Sequence, residues 1–186
     1  MRHSLSTPGD LIRLLQEIER RSRKRAQSLP ARTENQNRWE GILFTIAGVP
    51  AVAPLDEVKE ILNFPSTVTR VPGAKRWLLG IANIRGNLLP VIDLQMFFGS
   101  KPIIRGKRSR VLVIDIDGLR AGLLVGGVQG LQHFGEEQRV EAPALPDLPE
   151  RIRDCARGAF ERDGERRMVL SMKALAGIAD FQVAAA

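Results

Sequence analysis

Three dipeptides constrain this chain most: Gly86-Asn87, Asp117-Gly118 and Asp163-Gly164. Each stands between two strand-like runs: IANIRG and NLLPVIDL, VLVIDI and LRAGLLV, ARGAFER and RRMVLSM. Pairs of this kind accept the positive φ that a tight hairpin turn requires, so each predicts two antiparallel strands joined with almost no loop. The runs are four to eight residues long, too short for helices of ordinary length.

The remaining segments add to a β-rich pattern. From Trp39 onward Ile42, Phe44 and Ile46 alternate, Gly48 marks a turn, and Val49-Pro50-Ala51-Val52 begins another extended run. Pro54 opens LDEVKEIL, where Leu55, Val58, Ile61 and Leu62 share one face of an expected short helix. A second short helix is expected over residues 95–98, stopped by Gly99. GLQHFG reads as a strand and APALPDLPER as a proline-rich crossing loop. This gives nine or ten short strands and about three short helices, without the alternating long helices of a doubly wound sheet. So many short strands manage their edges best in closed or half-closed barrels, and two small barrels sharing a core suit 186 residues.

Ahead of this body lies a different kind of segment. Thr7, Pro8 and Asp10 form a helix start, and Leu11, Leu14, Leu15 and Ile18 fall on one face. That helix either packs its leucines on its own domain or docks in a partner's groove. A basic run follows, and residues 27–38 read as a polar linker. The net charge of +7 is concentrated here: residues 1–38 carry nine Lys/Arg against four Asp/Glu, and residues 39–186 nineteen against seventeen. The basic tail leaves a nucleic-acid-binding module as an alternative, although the body lacks zinc-finger spacing and aromatic-basic recognition patterns and has only 5% aromatics. No stretch approaches the roughly 18 apolar residues of a membrane span. The single cysteine, Cys155, fits a reducing cytoplasm.

A search for catalytic chemistry finds none that converges. His3 lies in the extension, and His133 sits in a strand-like run. Asp115 and Asp117 straddle a strand end and a turn, and the turn accounts for Asp117. There is no phosphate loop with a lysine, no nucleophile elbow and no set of His and Cys at metal-ligand spacing. No catalytic residue, metal or cofactor is expected. An enzyme or small-ligand module would need a deep pocket with convergent polar groups.

The segment GIANIRGNLLPVIDLQMFFG, residues 80–99, resembles the signature of CheW-like domains. The flanks resemble the family too: VKEIL its first helix, TRVPGAKRWLLG its run through Val-Pro into a short helix, RVLVIDIDGLRAGLLVGGVQGL its second-lobe hairpin, and MVLSMKAL its last strand and helix. The likeness covers about residues 38–180, leaving 1–37 as a basic helix and linker and 181–186 as a C-terminal tail. The N-terminal helix, Trp39, FFG and QHF resemble the branch of these adaptors found in type IV pilus (twitching) chemosensory systems; a flagellar or other array is the alternative. Two departures stand out. Ser171 replaces the usual Asp before the last helix and is expected to cap it, and Gly126 replaces the usual Asp after Val125.

The resemblance implies a mainly β fold of two SH3-like five-stranded barrels around a common core. It implies no reaction. One face would bind the regulatory domain of a CheA-type histidine kinase, and the groove between lobes a methyl-accepting chemoreceptor's cytoplasmic tip, in the cytoplasm beneath membrane-anchored arrays. Partner binding is expected at Val58, Glu60, Ile61, Asn83, Arg85 and Gly86, with Arg85 pairing with Glu60 of the first helix.

Overall fold

The computed structural model describes residues 38–141 and 148–185; the expected N-terminal helix and linker lie outside them. Eleven strands are present among the described residues: β1 (Arg38–Ile46), β2 (Val49–Pro54), β3 (Glu60–Leu62), β4 (Leu78–Ile84), β5 (Asn87–Asp93), β6 (Arg110–Ile116), β7 (Leu119–Val125), β8 (Gly130–Gly135), β9 (Arg139–Val140), β10 (Ala156–Arg162) and β11 (Glu165–Leu170). Four short helices accompany them: α1 (Leu94–Phe97), α2 (Glu150–Cys155), α3 (Met172–Ala176) and α4 (Ala179–Ala185).

The strands form two sheets, ordered β8-β1-β2-β11-β10-β9 and β3-β6-β7-β5-β4. The second is inserted between the two halves of the first, since β3–β7 lie between β2 and β8 in the chain. Both follow one plan, in which two antiparallel hairpins meet at a parallel seam. In the first sheet β1–β2 meets β10–β11 through the parallel pair β2–β11; in the second β6–β7 meets β4–β5 through β5–β7. The first has six strands where five were expected, the extra one being the two-residue β9.

Alternation explains why the strands are apolar on both sides. Ile42, Phe44 and Ile46 of β1 enter a core that also holds Leu112, Ile114 and Ile116 of β6 and Ala121, Leu123 and Val125 of β7. This core joins both sheets. The opposite faces build a private cluster in each lobe, Leu43, Val52, Phe134, Phe160 and Val169 in one and Ala82, Val91, Val111 and Leu124 in the other. A strand buried on both faces reads as a continuous apolar run, as VLVIDI does.

Four hairpins turn through two residues with positive φ: Ala47-Gly48, Arg85-Gly86, Asp117-Gly118 and Asp163-Gly164. The second lies one residue earlier than the sequence suggests, because Ile84 pairs with Asn87. Arg85 (φ 53°) therefore takes the left-handed position, and the Asn83 Oδ1 accepts a hydrogen bond from the Gly86 N–H at 2.9 Å to hold the turn.

Four other expectations need correcting. LDEVKEIL makes only a 3-10 turn, Leu55–Glu57, before Glu60–Leu62 extends and pairs with Val111–Val113. Two turns of helix are marginal alone, and the ladder with β6 wins. TRVPGAKRWLLG passes through hydrogen-bonded turns, Ala74 N–H to Val71 O and Leu78 N–H to Lys75 O, in place of a short helix. The end of the proline-rich loop winds into α2, which buries Ile152 and Cys155. The expected tail belongs to α4, where Phe181 is buried against Phe97 with ring centroids 5.3 Å apart.

Both departures from the family pattern have local reasons. The Ser171 hydroxyl accepts from the Ala174 N–H at 3.1 Å and caps α3. At Gly126 a Cβ would stand 3.0 Å from the Thr45 carbonyl oxygen, so a side chain there would press on β1.

Candidate functional site

The six residues singled out by the sequence fall around one end of the five-stranded sheet. Glu60 opens β3, on the edge beside β6, and is paired in register with Val113. Side chains two residues apart on a strand share a face, so Glu60 lies on the face of Val113 and Asp115. Arg120 pairs with Asp115 across the β6–β7 hairpin and joins that face. Arg85 reaches it from the tip of the β4–β5 hairpin.

The Glu60 carboxylate lies between two guanidinium groups. Its Oε2 is 3.2 Å from Nη1 of Arg85 and its Oε1 is 3.8 Å from Nη2 of Arg120. The expected pair is therefore present, with one contact from each arginine in place of a two-bonded grip by Arg85. The Arg85 side chain remains 77% exposed, while that of Glu60 is 22% exposed. An exposed guanidinium on a half-buried carboxylate adds about 0–1 kcal/mol of stability. Its consequence is positional, since the carboxylate aims the Arg85 side chain over the sheet edge. Lys59 extends the cluster with Nζ 2.5 Å from Asp115 Oδ2, and that hydrogen bond and charge hold the Asp115 carboxyl below its ordinary range. Lys59, Glu60, Ile84, Arg85, Asn87 and Arg120 line an open cleft of about 400 Å³.

The other four residues divide by role. Asn83 and Gly86 are accounted for by the turn that presents Arg85. Val58 is half-buried against the core shared by the two sheets. Ile61 faces the side opposite Glu60 and is 43% exposed, a large apolar side chain at the sheet edge next to the inter-lobe core. Sequence reasoning missed Arg120 and Lys59. The signal was available for Arg120, which stands two residues beyond Asp117-Gly118 and so lies opposite Asp115 in a two-residue hairpin.

The residues weighed for catalysis are dispersed. His133 Nε2 lies 2.9 Å from Glu40 Oε1 on the neighbouring strand. Asp117 occupies its turn at φ 51°. Cys155 is fully buried at the end of α2, and burial pushes its thiol up to about 11. Among the described residues no three His, Cys, Asp or Glu side chains gather where they could hold a metal ion, and no helix is long and apolar enough to cross a membrane.

Known proteins resemble this chain. A family model described as the CheW-like domain matches residues 40–179. Protein PilI of Pseudomonas aeruginosa is 40% identical over 165 residues, covering 89% of this chain and 90% of PilI. The chemotaxis protein CheW of Helicobacter pylori is 28% identical over 131 residues, covering 70% of this chain and 75% of its own. The crystal structure of the scaffolding protein TtCheW from Thermoanaerobacter tengcongensis has the same fold, with a TM-score of 0.64 at 23% identity over 76% of this chain and 94% of that one. With two β sheets around one core and a family match spanning both, this chain belongs to the family of CheW-like domain proteins.

Proposed function

We propose that this protein is a non-catalytic adaptor that joins a methyl-accepting chemoreceptor to a CheA-type histidine kinase, in an array that controls type IV pilus twitching. The observation that carries the proposal is the likeness to PilI along nine-tenths of both chains, together with an Arg85 aimed outward by Glu60. In this reading the β4–β5 tip and the edge of β3 meet the regulatory domain of the kinase. Ile61, a large apolar side chain left exposed at the sheet edge, and the inter-lobe groove take the receptor's cytoplasmic tip. The protein works in the cytoplasm beneath the receptors.

The test is binding of purified kinase regulatory domain and of a receptor-tip fragment to wild type, Arg85→Glu, Glu60→Arg and the double swap. Each reversal is expected to weaken one of the two complexes at least tenfold, with thermal unfolding shifted little. The double swap restores binding only in part, because the new arginine at position 60 faces Arg120. Normal binding by both single variants would refute the role of the pair. Failure of the wild type to bind either fragment would refute the adaptor itself.

A further inference from the structure

The charge of the body is strongly polarised. Residues 64–79 and 100–110 carry eight Lys/Arg and no Asp/Glu, whereas the rest of 39–186 carries eleven against seventeen. The two basic segments fold beside each other. They enclose a groove of about 540 Å³ that shares no lining residue with the Glu60–Arg85 cleft. Its floor is aliphatic, with Val68, Leu79 and Ile103 packed on the private core of the five-stranded sheet and Val71 at the lip. Its walls carry Arg70, Lys75, Arg76 and Arg105. None of these four forms an ion pair with a carboxylate among the described residues. The lining carboxylate, Asp93, is 2% exposed and already accepts hydrogen bonds from the N–H groups of Met96 and Ile103.

We infer that this groove docks an acidic amphipathic segment of a partner protein, with its apolar side chains on the Val68–Leu79–Ile103 floor and its carboxylates against the four cations. Charge complementarity selects the occupant. The chain's own residues 1–37 carry eight Lys/Arg against four Asp/Glu, so the cationic walls repel them. A nucleic acid would satisfy the cations, but the groove has a single aromatic ring to stack on, Phe64, and the Arg105 guanidinium already lies 4.8 Å from its centroid. An apolar floor inside a cationic rim calls for apolar anchors flanked by acids, as when an amphipathic helix lies in a groove.

The experiment measures fluorescence anisotropy of the full chain with a labelled helical peptide of about 14 residues bearing Leu and Phe on one face and Glu on the other. Its scrambled and Lys-for-Glu versions, an oligothymidine and phosphatidylserine vesicles serve as competitors. The designed peptide should bind and none of the four competitors should displace it. Binding should weaken at least tenfold in Arg70→Glu/Arg76→Glu, and separately in Val71→Asp, which tests the apolar contact at the lip if the double variant folds poorly. Equal binding of the scrambled peptide, displacement by oligothymidine or vesicles, or undiminished binding by Val71→Asp would overturn the inference.

Discussion

Glu57 is a residue whose removal should be felt across the fold. It lies in the 3-10 turn where the chain leaves the six-stranded sheet for the five-stranded one, and α3 follows β11 some 115 residues later. Its Oε2 accepts from the backbone N–H groups of Met172 at 2.5 Å and Lys173 at 3.1 Å, and both oxygens lie within 3.4 Å of the Ser171 hydroxyl. The first turn of α3 is thus capped from its own chain by Ser171 and from the crossover by Glu57. Glu57→Ala strips the carboxylate from two helix N–H groups in a half-buried place. Loss of one cap costs about 1 kcal/mol, and two charge-assisted bonds with partial rescue by water bring this to about 1–2 kcal/mol. For a domain of this size that lowers Tm by about 2–8 °C. Urea unfolding followed by circular dichroism should show a lower midpoint with unchanged slope. Glu57→Gln, which keeps an acceptor but loses the charge, should fall between. Because Ser171 serves the same helix end, Ser171→Ala and Glu57→Ala should not add. A Glu57→Ala protein within about 0.3 kcal/mol of wild type, or strict additivity with Ser171→Ala, would show that this cap does not bind the crossover to α3.

Two further perturbations follow from the structure. Cys155 has a folded pKa raised from 9.0 to about 11, so its stabilising effect is complete below pH 9 and is lost as pH rises through 11; an aromatic disulfide reagent at pH 8 should modify it no faster than the protein unfolds, and Cys155→Ala should flatten the alkaline loss of stability. Gly80 combines φ +140° with a virtual Cβ only 2.2 Å from the Thr69 carbonyl oxygen, and Gly80→Ala should cost about 2 kcal/mol or more in chemical denaturation, by breaking the Thr69–Ile81 bridge.

How far this fold can be read from sequence depends on the range of the forces involved. Asp117-Gly118 and Asp163-Gly164 were legible because a two-residue turn is decided within four residues by which side chains tolerate positive φ. The arginine at the β4–β5 tip was shifted by one because the Asn83 side chain, outside the dipeptide, holds the turn closed. The period-two pattern placed β1 correctly, since one face of it meets the common core throughout. The family's signature also located Arg85 and Glu60 as a pair, although it placed Glu60 on a helix.

What tertiary structure alone decided are the choices in which local preference was weak or silent. Leu55, Val58, Ile61 and Leu62 fit a helix as written, and only the open edge of β6 turned Glu60–Leu62 into a strand. Two buried residues in six gave α2 no visible period, and Phe181 revealed its place only where the ring of Phe97 waited to cover it. Arg120 became the second partner of Glu60 because β3 and β7 both flank β6, a neighbourhood no short window contains. Turn chemistry and strand alternation act over a few residues and are written in the sequence. Edge pairing and charge clustering act between segments tens of residues apart, and they exist only once the two sheets have closed on their shared core.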